Sequence, residues 1–338
     1  MARLDRLKII REIETCRSSR VLVYITGDRQ GFQTIINTDT FPFIAKHLAH
    51  FKRPSKIDLF LYSTGGNTMA GYSLVNMIRE HTSSFSVLIP FKALSTATLI
   101  TMGADDIRMT KMGQLSPIDP SFSHPLGPSV PVPGQPGVIQ PIPVSVEDIF
   151  NYIELARTEL KINDVDSLER VLENLANNVH PLILGHGYRM REQTGFLAHN
   201  LLSTHLTDEK QIKKIIEVIT RGRYSHDYIF SRKEAKDVIK LPIIDDERVE
   251  SLVFSLFEEY QSILELPNPY SPDVALGEEE EALRTFESAI IESDDLTHVF
   301  RTQKFLRRIN VPVPGTPVQT PAIIERVIKA GWVEDNSF

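Results

Sequence analysis

Two short stretches of the sequence hold residue types that acyl-transfer chemistry requires. The first is Ser63-Thr64-Gly65-Gly66, which follows an apolar run. Two consecutive glycines allow backbone angles that a β-carbon forbids, so successive N–H groups can converge on one anion. The second is Ser95, which follows the next apolar run and opens a helical pattern. The sequence therefore predicts an oxyanion hole at Gly65 and Gly66 and a nucleophile at Ser95.

The apolar runs around these residues predict the elements that hold them. Strand and helix patterns alternate, which is typical of a parallel sheet with right-handed crossovers. Four strands are predicted in this sheet: Arg20 to Thr26, Ile57 to Tyr62, Phe85 to Pro90 and Asp106 to Thr110. Ligands of such sheets bind at the carboxyl ends of the strands. Gly65, Gly66 and Ser95 all fall at such ends.

Four motifs in one order give the chain a family resemblance. They are Thr64-Gly65-Gly66, Ala93-Leu94-Ser95-Thr96-Ala97-Thr98, Gly103-Ala104-Asp105-Asp106-Ile107 and Ser116-Pro117-Ile118-Asp119-Pro120. In this order they resemble the serine dehydrogenase proteinase family, which is part of the wider ClpP/SppA/crotonase superfamily. The resemblance implies a ClpP/crotonase-like α/β fold, built of repeated ββα and βα units with a parallel sheet. It also implies a serine peptidase, with an acyl-enzyme on Ser95 and an oxyanion hole at Gly65 and Gly66.

The resemblance also suggests where domains begin and end. It is strongest from about residue 15 to residue 125, and it continues more weakly to about residue 245. We therefore expect a core domain over residues 1–245, with a proline-rich loop at 125–143. Residues 246–338 are expected to form a small, mainly helical extension, in which the acidic run Glu278 to Glu281 begins a helix.

The general base of the predicted site is where the sequence departs from the family pattern. ClpP-like relatives have a histidine further along the chain from the nucleophile, and Asp119 stands where that histidine is expected. SppA-like relatives use a lysine instead. Lys92 and Lys161 are the lysines considered for this role, although neither lies in a matching motif.

A histidine elsewhere offers another solution. The segment that carries the third triad member in relatives reads Ser225-His226-Asp227. If this loop lies beside Asp119, His226 can act as the base while Asp119 orients it. A triad is defined by geometry and roles, so the exchange of base and acid is chemically sound. The alternative interpretation is that His226 is an ordinary loop histidine and Ser95 only caps its helix.

Composition and motifs restrict the cofactors, partners and location. A net charge of −7 over 338 residues argues against a nucleic-acid-binding surface. There is neither a P-loop nor a Rossmann fingerprint, so no nucleotide cofactor is expected. No metal is expected either, because Cys16 is the only cysteine and the histidines, among them His124, His180 and His186, lack zinc-site spacing. The start shows no signal-peptide pattern and no stretch suits a membrane span, which predicts a cytoplasmic protein.

Three functions remain open from the sequence. The first is a serine peptidase that cleaves peptides or unfolded polypeptide chains. The second is a crotonase-like thioester enzyme, which would use the same N–H groups to stabilise an enolate. The third is a catalytically silent scaffold, favoured by the absence of a histidine at Asp119. Helical patterns over residues 146–207 match superfamily helices that carry subunit contacts, so the resemblance implies a homo-oligomer.

Overall fold

The computed structural model describes residues 3–132, 137–221, 227–312 and 319–337. The chain forms two compact units. The first contains residues 1–115 and 230–338, and the second contains residues 116–229.

Helices and short strands occur in both units. Along the described residues the helices are α1 (Arg3–Arg17), α2 (Phe41–His50), α3 (Thr68–Arg79), α4 (Thr96–Thr101), α5 (Val146–Thr158), α6 (Val165–Asn178), α7 (Pro181–Leu202), α8 (Glu209–Arg221), α9 (Arg232–Glu234), α10 (Glu247–Ile263) and α11 (Pro272–Leu276). Among these described helices, none has both the length and the apolar character needed to cross a bilayer.

The strands range from two to sixteen residues in length. They are β1 (Arg20–Thr26), β2 (Lys56–Tyr62), β3 (Ser84–Ile89), β4 (Lys92–Ala93), β5 (Asp106–Met109), β6 (Gln114–Leu115), β7 (Ser121–Phe122), β8 (Ser129–Pro131), β9 (Ile139–Pro141), β10 (Val144–Ser145), β11 (Phe230–Ser231), β12 (Glu281–Glu292), β13 (Thr297–Pro312) and β14 (Gln319–Glu334).

The first unit is organised around a seven-stranded sheet in the order β14-β13-β12-β1-β2-β3-β5. Neighbours from β1 to β5 are parallel, with Val23 opposite Phe60 and Phe60 opposite Leu88. The four predicted strands and their parallel arrangement are thereby confirmed. A smaller sheet, β11-β6-β4, lies in the same unit. Its strand β4 ends two residues before Ser95, so it helps to place the predicted nucleophile.

The core of the first unit combines residues from distant parts of the chain. Leu7 and Ile10 of α1 pack in one cluster with Phe257 of α10 and with Val23 and Ile290 of neighbouring strands. All five side chains are buried, and burial of each large apolar side chain contributes roughly 1.5–3 kcal/mol. Helix α10 is therefore part of the core rather than of a separate extension.

The C-terminal part of the chain corrects two expectations. Residues 246–338 do not form a separate, mainly helical extension, since β12, β13 and β14 occupy most of residues 281–334 and extend the main sheet. The acidic run does not begin a helix, because it lies in the turn before β12 and reaches only that strand's first residue. The physical reason is pairing: Ala289 to Ile291 is a buried run whose strand pairs with β1.

The second unit is mainly helical, as predicted for residues 146–207. Helices α5, α6 and α7 follow one another there, and α8 completes the set. The proline-rich stretch was expected to be an extended loop. Within it, β8 and β9 pair as short antiparallel strands that are exposed to solvent, and residues 133–136 lie outside the described part of the chain.

Candidate active site

Ser95 stands at the turn between β4 and α4 in an unusual backbone conformation. Its φ is 51° and its ψ is −114°, a region that L-residues rarely adopt and that stores of the order of 1–3 kcal/mol of strain. Its side chain makes no capping hydrogen bond to α4, every residue of which is described. Ser95 is only half-buried. A helix-capping role does not explain this geometry.

Gly65 lies directly against Ser95. A β-carbon at Gly65 would lie 2.9 Å from Ser95 Cβ and 3.4 Å from Ser95 Oγ. The φ of Gly65 is 118° and that of Gly66 is 151°, so both need the conformational freedom of glycine. A β-carbon at Gly66 would lie 2.3 Å from Ile36 O, which is backbone and cannot move aside cheaply. The structure thus brings the predicted nucleophile and the predicted glycine pair together.

The two glycine N–H groups differ in their hydrogen bonds. The Gly65 N–H donates to Ser63 Oγ at 3.0 Å, so it is already used inside the protein. The parallel bridge between Gly66 and Ile36 uses Gly65 O and Asn67 N, which leaves the Gly66 N–H outside that bridge. Gly65 is buried and Gly66 is exposed. Gly65 therefore provides space beside Ser95, and the oxyanion hole at Gly65 and Gly66 stays a prediction.

Thr96, the first residue of α4, joins the serine turn to the glycine loop. Its hydroxyl donates to Gly66 O at 2.7 Å. The first N–H groups of a helix have no partner within the helix, so the Thr96 N–H is a potential donor next to Ser95. Helix α3 also approaches closely, because a β-carbon at Gly71 would lie 2.5 Å from Thr96 Cγ2. Sequence reasoning missed Thr96, although its place directly after the predicted nucleophile at a helix start was a usable signal.

Ser63, the first residue of the glycine stretch, has no predicted role but holds the loop in place. It is fully buried and follows β2 directly. Its hydroxyl accepts from Thr26 Oγ1 at 2.6 Å as well as from the Gly65 N–H. Serine often bonds to backbone two residues further on in a turn, and this tendency was the signal available in the sequence.

Asp119 belongs to the second unit. Its carboxylate accepts from Ser145 Oγ at 2.7 Å and from the Glu147 N–H at 3.4 Å. Ser145 caps α5, so these bonds place Asp119 at the amino end of that helix, where a negative charge is favourable. His226 lies outside the described residues. Both therefore keep their predicted roles only as a proposal.

The two lysines considered as bases are in different surroundings. Lys92 Nζ donates to Asp28 Oδ2 at 2.6 Å, and Tyr62 OH donates to Asp28 Oδ1 at 2.7 Å. Burial, together with this carboxylate, raises the pKa of Tyr62. The Lys92 ammonium is thus held in an ion pair with Asp28. Lys161 is an exposed residue of the second unit.

The three histidines named above for lacking zinc-site spacing have local partners. His180 Nδ1 accepts from the Leu182 N–H and so caps α7. His124 Nδ1 accepts from the Leu126 N–H in a turn. His186 lies against the ring of Phe122, with 4.7 Å between ring centroids. Among the residues that the structure describes, no group of three or more His, Cys, Asp or Glu side chains is placed to hold a metal ion.

The parallel sheet places a strained serine against a glycine loop, an arrangement that acyl-transfer chemistry can use. Residues 1–132 match the family model described as ClpP-like SDH-type serine proteinase, which confirms the resemblance of the sequence motifs. The α/β fold with a parallel sheet agrees with this family. Residues 1–132 are therefore similar to a family of serine proteinases.

Two uncharacterized proteins of Methanocaldococcus jannaschii are similar over most of the chain. One is 24% identical over 266 residues, covering 76% of this chain and 79% of the relative. The other is 25% identical over 283 residues, covering 79% and 83%. The similarity therefore extends well beyond the residues that match the family model.

Two solved structures are also similar to the chain. ClpP1 from Listeria monocytogenes is 16% identical, with 71% of this chain and 97% of that chain covered and a TM-score of 0.35. A membrane-bound stomatin-specific protease is 14% identical, with 69% and 84% covered and a TM-score of 0.33. Both TM-scores are low, and neither likeness supports an inference about this chain.

Proposed function

We propose that this protein is a serine peptidase that cleaves peptides or unfolded polypeptide chains through an acyl-enzyme on Ser95. The observation that carries the proposal is the strained turn that holds Ser95 against Gly65, where only a glycine leaves room. Backbone strain in a non-glycine residue persists only where the surroundings enforce it, and such residues cluster at active sites. The match of residues 1–132 to a serine proteinase family supports the same chemistry.

The oxyanion hole in this proposal consists of the Gly66 N–H and the Thr96 N–H. Gly66 is exposed, and its N–H is not used by the bridge to Ile36. The Thr96 hydroxyl bonds Gly66 O, so the two residues are held next to each other. Two such donors stabilise the negative charge that develops on the carbonyl oxygen, and loss of one typically costs about 10²–10³ in kcat.

The reaction follows from these roles. Ser95 Oγ attacks the carbonyl carbon while the base accepts its proton, and the carbonyl oxygen becomes the oxyanion. The C–N bond then breaks, and the leaving amine takes the proton from the base. Water hydrolyses the ester on Ser95 by the same sequence in reverse. We assign the base to His226 and its orientation to Asp119, on the sequence argument alone.

A fluorophosphonate probe tests the nucleophile. We expect the wild-type protein to be labelled on Ser95, as mapped by mass spectrometry, and to hydrolyse dye-labelled casein. Ser95→Ala should abolish both signals. Ser231→Ala is the control, since Ser231 likewise stands between a short strand and a helix, α9, but is exposed and caps that helix. His226→Ala and Asp119→Asn should each lower the rate by at least about 10²-fold, the usual contribution of a general base.

The alternatives have different outcomes. An unlabelled wild-type protein that converts an acyl thioester would indicate crotonase-like chemistry. A protein that is neither labelled nor active on thioesters would be a scaffold. Labelling of Ser95 with unchanged activity in His226→Ala would retain the peptidase but reject the exchanged triad.

We also propose that the protein forms a homo-oligomer through its second unit. Helix α6 is amphipathic, yet none of its residues is buried within the chain. Leu155, Leu172 and Phe196 are large apolar side chains exposed on this unit, and such surfaces commonly mark subunit contacts. Light scattering coupled to size exclusion should show a stable oligomer. Leu172→Glu should shift it toward the monomer, whereas Glu173→Lys, an adjacent charge change on the same helix, should not.

A further inference from the structure

Ser63 is a buried hydroxyl with three hydrogen bonds in the glycine loop. It accepts from Thr26 Oγ1 at 2.6 Å and from the Gly65 N–H at 3.0 Å, and it donates to Gly65 O at 3.3 Å. Because both lone pairs accept, the hydroxyl proton is directed to Gly65 O. Ser63 thus holds both polar groups of the Gly65 backbone.

The backbone of Ser63 holds the opposite side of the site. Its N–H donates to Lys92 O at 2.9 Å, and its carbonyl accepts from the Leu94 N–H at 3.0 Å. These bonds fix the segment that ends in Ser95. Ser63 therefore holds the segment before Ser95 through its backbone hydrogen bonds and the glycine loop through its side-chain hydrogen bonds.

We propose that Ser63 is a positioning residue that sets the direction of the Gly66 N–H, a role that rests on the serine peptidase function proposed above. Gly65 has a φ of 118°, and its N–H would be buried without a partner if Ser63 were absent. A buried donor without an acceptor costs about 1–3 kcal/mol, so the loop would turn to satisfy it. Such a turn would move the next N–H, that of Gly66, away from the oxyanion.

Thr26 extends this role to the end of β1. Its hydroxyl is buried and donates to Ser63 Oγ, which keeps the Ser63 proton on Gly65 O. Thr26→Val removes that donor with little change in shape. We expect it to reproduce the effect of a Ser63 substitution in weaker form, because the bond from the Gly65 N–H to Ser63 Oγ remains.

Fluorophosphonate kinetics provide the test, because the probe needs no known substrate and also develops negative charge in the oxyanion hole. We expect Ser63→Ala to lower the maximal rate of labelling about 10–100-fold, with the half-saturating probe concentration within about twofold of wild type. Thr26→Val should lower that rate a few-fold. The final stoichiometry of labelling gives the folded fraction, to which all rates are normalised.

Ser86→Ala is the matched control. Ser86 is a fully buried serine on the neighbouring strand β3, with its hydroxyl bonded to Asp106 at 2.7 Å. Its loss should lower the melting temperature and leave the normalised labelling rate unchanged. A wild-type labelling rate in Ser63→Ala, or a change only in half-saturation, would overturn the positioning role. If Ser63→Ala does not fold, a wild-type rate in Thr26→Val overturns it instead. Absence of Ser95 labelling in the wild type would reject the peptidase function itself.

Discussion

The two ends of the parallel strands in the first unit are built in opposite ways. The amino end contains buried ion pairs, with Arg17 bonded to Asp58 at 2.5 Å and to Asp106 at 3.1 Å. The carboxyl end contains the positive-φ residues Gly65 and Ser95. Every charge that we describe at the amino end has a partner, whereas the carboxyl end stores backbone strain. The difference separates stability from function along the same strands.

The largest expected effect comes from substitutions of Ser95 at the carboxyl end of the strands. Ser95→Gly and Ser95→Ala should both lower peptidase activity at least 10³-fold, because each removes the nucleophile. They should differ in stability. Glycine relieves the strain at a φ of 51°, so Ser95→Gly should raise the free energy of unfolding by about 1 kcal/mol. Ser95→Ala keeps the β-carbon and should show no gain. Urea unfolding of both variants checks this difference, and equal stability would contradict the strain.

The second-largest expected effect comes from a substitution of Asp58 at the amino end of the strands. Asp58 is fully buried, so Asp58→Asn should lower the free energy of unfolding by about 3–5 kcal/mol through its effect on Arg17. The rate of peptide hydrolysis per labelled Ser95 should stay near that of the wild type. Asp5→Asn, in the exposed pair of Asp5 with Lys8, is the control and should change stability by less than about 1 kcal/mol. A lower rate per labelled site in Asp58→Asn would show that the two ends are coupled.

A third prediction distinguishes two reasons why position 66 needs a glycine, namely crowding by neighbouring atoms and the backbone angle. Gly66 and Gly331 have similar φ values, 151° and 156°, but only Gly66 has backbone atoms where a β-carbon would lie. Gly331→Ala should therefore show the cost of the backbone angle alone. Gly66→Ala should cost about 1–3 kcal/mol more in thermal or urea unfolding and should also abolish labelling of Ser95. Equal costs in the two variants would mean that the loop can move away from Ile36.

The smallest effect concerns pH at the amino end. Burial alone would raise the pKa of Asp106, but the Ser86 hydroxyl and the cations of Arg17 and Lys56 outweigh it, so the pKa of Asp106 lies well below its usual range. The stability that this carboxylate contributes is present above its unfolded pKa of about 3.9 and is lost as the pH falls below that value. The urea concentration at the unfolding midpoint, measured from pH 7 to pH 3, should decrease once the pH is below about 4. Asp106→Asn should be less stable at pH 7 and should show a shallower acid slope.

Local sequence patterns were sufficient for the parallel part of the sheet and for its turns. The four parallel strands are short apolar runs followed by helical patterns, and their packing follows from that alternation. Gly65, Gly66 and Ser95 stand out because a glycine pair and a serine, each between a strand and a helix, together indicate an acyl-transfer site. Their proximity followed from the rule that the carboxyl ends of parallel strands share one edge.

Long-range pairing explains what local patterns did not reveal. Strand β14 is exposed along most of its length, so its sequence lacks the buried alternation that identifies a strand. It forms a strand because it pairs with β13, just as β12 pairs with β1. The hydrogen bond of the Gly65 N–H depends on the hydroxyl of Ser63, and no pattern in the sequence states which N–H a hydroxyl will accept from.

The pairing of β12 with β1 also affects how the protein is made. Val23 lies opposite Glu292, so one of the first strands to leave the ribosome finds its antiparallel neighbour only when most of the chain has been synthesised. Until then the open edge of β1 is available to other strands, which is a hazard for nascent chains. A ribosome-bound chain stopped before residue 281 should therefore recruit chaperones, and release of β12 from the exit tunnel should end that dependence.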